Sequence, residues 1–193
     1  MTSLLEEFQK VGKRLREEGL VDANFGNMSV REEDGFSITR TGSFLDSPGK
    51  LVFVPFDGEA PKQASNEHQA HREIYRITPH RAVVHAHPPH AVALSLHHER
   101  IIPADCEGEM FCPEIQVVTG APGSIGMAQN VAKALVEHRV VIVRGHGTFA
   151  AGKTLEEAYI MTSLAEHSCQ VLILSGKECH DTINSCQPGN QRE

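Results

Sequence analysis

The sequence predicts a single three-layer α/β/α domain with a mixed, mostly antiparallel central sheet. Three observations lead there. The chain has 193 residues, about 40% of them hydrophobic, enough for one sizeable core. Strand-like and helix-like segments alternate along it without an internal repeat or linker. The first strands come in a cluster joined by short turns, which favours antiparallel neighbours over βαβ crossovers.

The elements follow in order. Ser3-Leu4-Leu5-Glu6 reads as a capping box, and Leu4, Phe8, Val11 and Leu15 recur at helical spacing until Gly19 ends the helix. Short strands are expected over Met28 to Arg31, Phe36 to Arg40 and Leu51 to Phe56, separated by polar or glycine-containing turns. A helix from Asn66 to Ile77, capped by Ser65, closes before Pro79. Ala82 to Ala86 is a short buried strand, after which Pro88 and Pro89 open a helix toward His97. Asp105, Glu107 and Glu109 read as a solvated loop between Pro103 and Pro113. Ile115 to Val118 is a strand and Met127 to His138 a helix. Arg139 to Val143 and Thr148 to Ala151 are strands on either side of the turn Gly145-His146-Gly147. Thr154 and Glu157 then start a last helix with Ala158, Met161, Ala165, Cys169 and Leu172 inward. The domain is expected over residues 1–176, with 177–193 a polar, flexible tail.

Composition narrows the function. A formal charge of −7 with no basic cluster argues against nucleic acid as a partner. No run approaches the ~18 apolar residues of a membrane span, so a cytoplasmic protein without a membrane partner is expected. Five cysteines without a C-x-x-C pair read as reduced thiols. Twelve histidines are many for this length and point to metal or acid–base chemistry.

Three of those histidines have informative settings. His85 and His87 flank Ala86 at a strand end, so alternation sends both imidazoles to one face. Chance alone supplies about 0.7 H-x-H matches in such a chain, so the pair carries little by itself. His146 adds to it. Flanked by glycines directly after an apolar strand, it lies where a backbone can turn sharply and where ligands gather in α/β sheets. Three neutral imidazoles with a fourth position open form a catalytic zinc pattern. Glu67 is the candidate carboxylate, in the first turn of its helix on the face shared with Ala70 and Ile74, where an inward charge needs a partner. The neighbouring His68 and His71 read as solvated. Gly26-Asn27, Thr41-Gly42 and Ser65-Asn66 each combine a small residue with a side-chain donor, as an anion site requires.

Placed in order, Phe25-Gly26-Asn27-Met28-Ser29-Val30-Arg31, Thr41-Gly42, Ser65-Asn66-Glu67, His85-Ala86-His87 and Arg144-Gly145-His146-Gly147 resemble the class II aldolase/adducin family over Leu4 to Leu174. The resemblance implies one divalent ion per subunit, zinc first among candidates, held by His85, His87 and His146. Glu67 would ligate the resting ion or serve as acid and base. Gly26, Asn27, Thr41, Gly42, Ser65 and Asn66 would line the phosphate pocket of a small phosphorylated sugar. Aldol or retro-aldol cleavage through a metal-stabilised enediolate is the implied reaction, in a homotetramer. The family also holds 4-epimerases, methylthioribulose-phosphate dehydratases, decarboxylases and the non-catalytic adducin head. Two departures are visible. Asn66 stands where such aldolases often have a second serine, and Tyr75 and Tyr159, the two tyrosines of the chain, match neither of the positions at which sugar-phosphate aldolases use one.

Overall fold

The computed structural model describes residues 3–176; the polar segment 177–193, expected to be a flexible tail, lies outside them. Six helices and eight strands are present among the described residues: α1 (Leu4–Glu17), β1 (Asn27–Arg31), β2 (Gly35–Ile38), β3 (Val52–Pro55), α2 (His68–Ile77), β4 (Ala82–Ala86), α3 (Pro89–Ser95), β5 (Arg100–Ile101), α4 (Cys106–Phe111), β6 (Ile115–Val118), α5 (Ile125–Ala134), β7 (Val140–Val143), β8 (Gly147–Gly152) and α6 (Leu155–Ser175). The strands form one sheet in the order β3-β2-β1-β4-β8-β7-β6-β5. Among these pairs only β6 and β7 run parallel.

Strand alternation divides the core between the two faces. In β4, Val83 points to the side covered by α2 and α5, where it joins Phe36, Ile74, Val131, Val141 and Phe149. Ala82, Val84 and Ala86 point the other way, toward Phe8, Leu15 and Met28 under α1 and α6. A third cluster continues that second layer, with Ala91 of α3 and Met161, Ala165 and Leu172 of α6 against Ile115, Val140 and Ile142. The three layers and mixed sheet are those expected.

Caps explain several boundaries. Ser3 and Glu6 form the full reciprocal box on α1. On α6 the exchange is broken: Thr154 accepts from the Glu157 N–H, but the Glu157 carboxylate takes the N–H of Lys153. Helix α3 begins at a proline, which offers no cap of its own. Glu166 of α6 supplies one from across the layer, accepting the Ala91 N–H at 2.9 Å, the His90 N–H at 3.2 Å and His90 Nδ1 at 2.7 Å.

Several expectations need correction. Helix α2 starts at His68, and Glu67 is its N-cap residue rather than part of its first turn; the Glu67 side chain makes no cap bond. His71 is fully buried, not solvated. Asp105 is not part of a solvated loop: its carboxylate accepts the Gly108 N–H at 2.8 Å and caps α4. Helix α5 begins behind the Ser124 cap and ends at Ala134, short of His138. Of the cysteines, Cys112 and Cys169 are buried thiols, whereas Cys106 is disulfide-bonded and departs from the reduced set; Cys179 and Cys186 lie outside the described residues.

Candidate active site

The site forms where the ends of β1 and β4 meet the β7–β8 hairpin and the N-terminus of α2. Register places Asn27 of β1 opposite His85 of β4, and His85 opposite Phe149 of β8. These three therefore stand abreast on the α2 side of the sheet. The Phe149 ring stacks on the His85 imidazole, with centroids 4.2 Å apart. His87, just past the strand, is tied by its N–H to the Leu20 carbonyl and stacks against Phe25. His146 rides on the hairpin turn, closed by its N–H to the Val143 carbonyl at 2.9 Å. Ser95 and Leu96 at the end of α3 pin that turn, through Arg144 to their carbonyls and the Gly145 N–H to the Ser95 hydroxyl. Gly147 lets the hairpin close on β4, because a Cβ there would lie 2.3 Å from the Ala86 carbonyl oxygen.

The result is a tight polar cluster. One ligand atom from each of His85, His87 and His146 lies within 4.8 Å of the others. The His85 and His87 Nε2 atoms are 2.9 Å apart. Glu67 brings Oε2 to 2.9 Å from His85 Nε2 and Oε1 to 3.4 Å from His146 Nε2.

Several features of this cluster fit a cation. His85 Nδ1 lies 2.8 Å from the Thr148 carbonyl, which accepts only, so Nδ1 carries the proton and Nε2 turns a lone pair inward. That lone pair meets a carboxylate oxygen and a second imidazole nitrogen, an arrangement rich in acceptors and poor in donors. Glu67 Oε1 and His146 Nδ1 are buried without a hydrogen-bond partner. Burial, reinforced by repulsion from His85 and His146, pushes the His87 imidazole down to about 3. Burial and His85 also lower His146. For Glu67, burial pushes upward, but its polar neighbours, His85 first, then the Asn27 amide and His146, outweigh it and hold the carboxyl at about 2. At neutral pH His87 and His146 are thus neutral and Glu67 is ionised, the forms a divalent ion takes.

Beside the cluster opens a cavity of about 310 Å³, lined by Gly26, Asn27, Thr41, Gly42, Ser65, Asn66, Glu67, His87 and His146. The structure thus brings the six residues proposed for phosphate to the same hollow as three of the four cluster residues. It also redistributes their donors. The N–H groups of Thr41 and Ser65 are committed to the Gln63 and Thr39 carbonyls. What the hollow offers from those two residues is their hydroxyls, next to the exposed Asn66 amide. The Asn27 side chain faces Glu67 and His71. Arg40 also lines the cavity, a residue that sequence reasoning left as an ordinary strand position. Its signal was available: a cation directly before Thr41-Gly42 adds positive charge to an anion candidate.

The chain matches the family model of the class II aldolase and adducin N-terminal domain over residues 6–173. A solved structure of L-fuculose-1-phosphate aldolase from Thermus thermophilus superposes with a TM-score of 0.86 at 42% identity, covering 90% of this chain and 94% of that one. An L-fuculose phosphate aldolase of Methanococcus vannielii is 33% identical over 167 residues, 84% of this chain and 91% of the relative. A 5-methylthioribulose-1-phosphate/5-deoxyribulose-1-phosphate aldolase of Escherichia coli is 29% identical over 188 residues, 92% of this chain and 87% of the relative. Fold, sequence and family match agree, and the chain belongs to the class II aldolase and adducin family, among its carbon–carbon lyases.

Proposed function

We propose that this chain makes and breaks a carbon–carbon bond in a small sugar phosphate, by aldol and retro-aldol chemistry that depends on a divalent ion, zinc, one per subunit. The observation that carries this reading is the convergence of three imidazoles and one ionised carboxylate beside a hollow lined with anion donors. His85, His87 and His146 would hold the ion, with Glu67 as a further ligand in the resting site. A divalent ion bound there supplies Lewis-acid polarisation of a substrate carbonyl and stabilises the charge left on oxygen as the adjacent bond breaks.

The other roles belong to the chain's own groups. Glu67 is the acid–base residue: in condensation it takes the carbon-bound proton beside the carbonyl, and in cleavage it returns one. Its Oε1, without a hydrogen-bond partner, is the oxygen that moves the proton. The Thr41 and Ser65 hydroxyls and the Asn66 amide hold the phosphate. Gly26 and Gly42 allow the close approach, Asn27 lines the floor, and Arg40 adds positive charge. Anchoring that end fixes the reacting carbons relative to Glu67. The same reading takes the protein as a cytoplasmic homotetramer, in which subunit contacts would cover exposed apolar side chains such as Met110 (71%), Ile125 (64%) and Leu174 (77%).

The test is a substrate panel with the zinc-loaded protein. Dihydroxyacetone phosphate with small aldehydes is assayed beside pentulose phosphates and methylthioribulose phosphate, which report epimerase and dehydratase activity. The expected result is carbon–carbon bond formation from dihydroxyacetone phosphate, abolished in Glu67→Gln while zinc is retained. Turnover of no member of the panel would contradict the enzymatic reading and favour an adducin-like interaction module.

A further inference from the structure

Between the sheet and α2, a chain of polar groups runs through an otherwise apolar core. Asn27 and Ser29 are two residues apart on β1 and so face α2 together. His71 and Tyr75 are four apart on α2 and so face the sheet together. The two spacings, each roughly 6–7 Å, match. Tyr75 OH lies 2.7 Å from Ser29 Oγ, which lies 2.6 Å from His71 Nδ1. His71 Nε2 lies 2.5 Å from Asn27 Oδ1, and Asn27 Nδ2 lies 3.0 Å from Glu67 Oε2. Ser29, His71 and Tyr75 are fully buried. Burial keeps His71 neutral, lowering it to about 3.

Counting donors fixes every direction. A carboxylate only accepts, so Asn27 presents its NH2 group to Glu67. Its carbonyl oxygen then faces His71 Nε2, which must carry the imidazole proton. A neutral imidazole has one N–H, so Nδ1 is a lone pair and accepts from the Ser29 hydroxyl. Ser29 Oγ in turn accepts from the Tyr75 phenol. All four hydrogen bonds point toward Glu67. Flipping the Asn27 amide would set its carbonyl oxygen against the carboxylate.

We propose that His71 is a positioning residue. Held as the Nε2–H tautomer by Ser29 and Tyr75, it locks the Asn27 amide in the orientation that donates to Glu67 Oε2. That leaves Oε1, which faces His146, for proton transfer. The functional half of this inference rests on the reading of Glu67 as the acid–base group; the tautomer half does not.

The test begins with the zinc-loaded parent protein labelled with ¹⁵N-histidine. Long-range ¹H–¹⁵N correlation spectra should show His71 as a single Nε2–H tautomer across neutral pH, assigned by its loss in His71→Gln. Ser29→Ala removes the donor to Nδ1 while the Asn27 carbonyl still takes the Nε2 proton, so the tautomer should persist with a shifted Nδ1 resonance. With dihydroxyacetone phosphate and the most active aldehyde, Ser29→Ala and His71→Phe should lower kcat about 10- to 100-fold, with KM near the parent value and zinc retained. His71→Gln should recover part of that loss, because its amide can donate to Asn27 and accept from Ser29. An Nδ1–H tautomer in the parent overturns the inference while leaving the proposed function untouched, and it decides the matter even where a variant fails to fold. Parent-level kcat in a folded His71→Phe overturns it as well. If Glu67→Gln keeps its activity, the acid–base reading fails instead, and the spectra still decide the orientation of Asn27.

Discussion

Gly147→Ala probes the packing that brings β8 and the hairpin against β4. An added Cβ would lie 2.3 Å from the Ala86 carbonyl oxygen, 2.9 Å from His87 Cδ2 and 3.1 Å from His85 Cε1. Ordinary carbon contacts start near 3.4 Å, so the backbone of β4 or β8 must move by about 1 Å, and the two imidazole rings proposed to hold the ion move with it. Overpacking of this kind costs about 1–3 kcal/mol. In a domain of this size that is a fall of about 3–9 °C in Tm. Metal sites tolerate about 0.2 Å of error in ligand distance, so zinc affinity should fall about 10- to 100-fold as well. Scanning fluorimetry of metal-free protein reads the first effect, and competition with a chromophoric chelator reads the second. Gly126→Ala is the control. Nothing lies within 4 Å of its Cβ position, and it sits in α5, where alanine is favoured by about 0.8–1 kcal/mol. A Gly147→Ala protein with parent Tm and parent zinc affinity would refute the packing argument.

Three further outcomes follow from particular contacts. Glu166→Ala removes the carboxylate that accepts from the His90 and Ala91 N–H groups, so it should destabilise the fold by about 2–3 kcal/mol, read by urea denaturation; an unchanged midpoint would deny the cap. His71 titrates at about 3 when folded, against about 6.5 for a solvated imidazole, so its contribution to stability is complete above pH 6.5 and is lost as pH falls toward 3. At pH 5 that loss is about 2 kcal/mol, and denaturation of metal-free His71→Gln between pH 7.5 and 5 should show correspondingly less acid sensitivity than the parent. His87→Ala should abolish zinc retention through gel filtration; an ion that stays with this variant would place the site elsewhere.

How much of this was legible in the sequence depends on what each residue type reveals. β4 matches its expected bounds because a short stretch led by Ala82-Val83-Val84, between polar Arg81 and the proline pair, has few alternatives. The glycine punctuation around His146 likewise marks a hairpin. Glu67 was misplaced by two positions because Ser65 has the composition of an N-cap. In the fold, Ser65 lies a turn earlier and its carbonyl accepts the His68 N–H. His71 was legible in principle, since it stands four residues from Glu67 on the face of Ala70 and Ile74. A histidine's polarity gives no sign of its burial, however, until its partners Asn27 and Ser29 are known to pass alongside. The α4 helix, six residues long, falls below the length at which periodicity speaks. Its signal was the Asp105-x-x-Gly108 cap alone. The two-residue β5 offers none.

The central claim is that His85, His87 and His146 share one cation with Glu67 beside it. X-ray absorption at the zinc edge, with anomalous scattering from a zinc-loaded crystal, tests it most directly. The account predicts one ion per subunit with three imidazole nitrogens at about 2.0–2.1 Å, located between these three rings. An ion bound elsewhere, or ligand nitrogens that stay within 4.8 Å of one another yet take up no metal from a zinc-containing buffer, would contradict it.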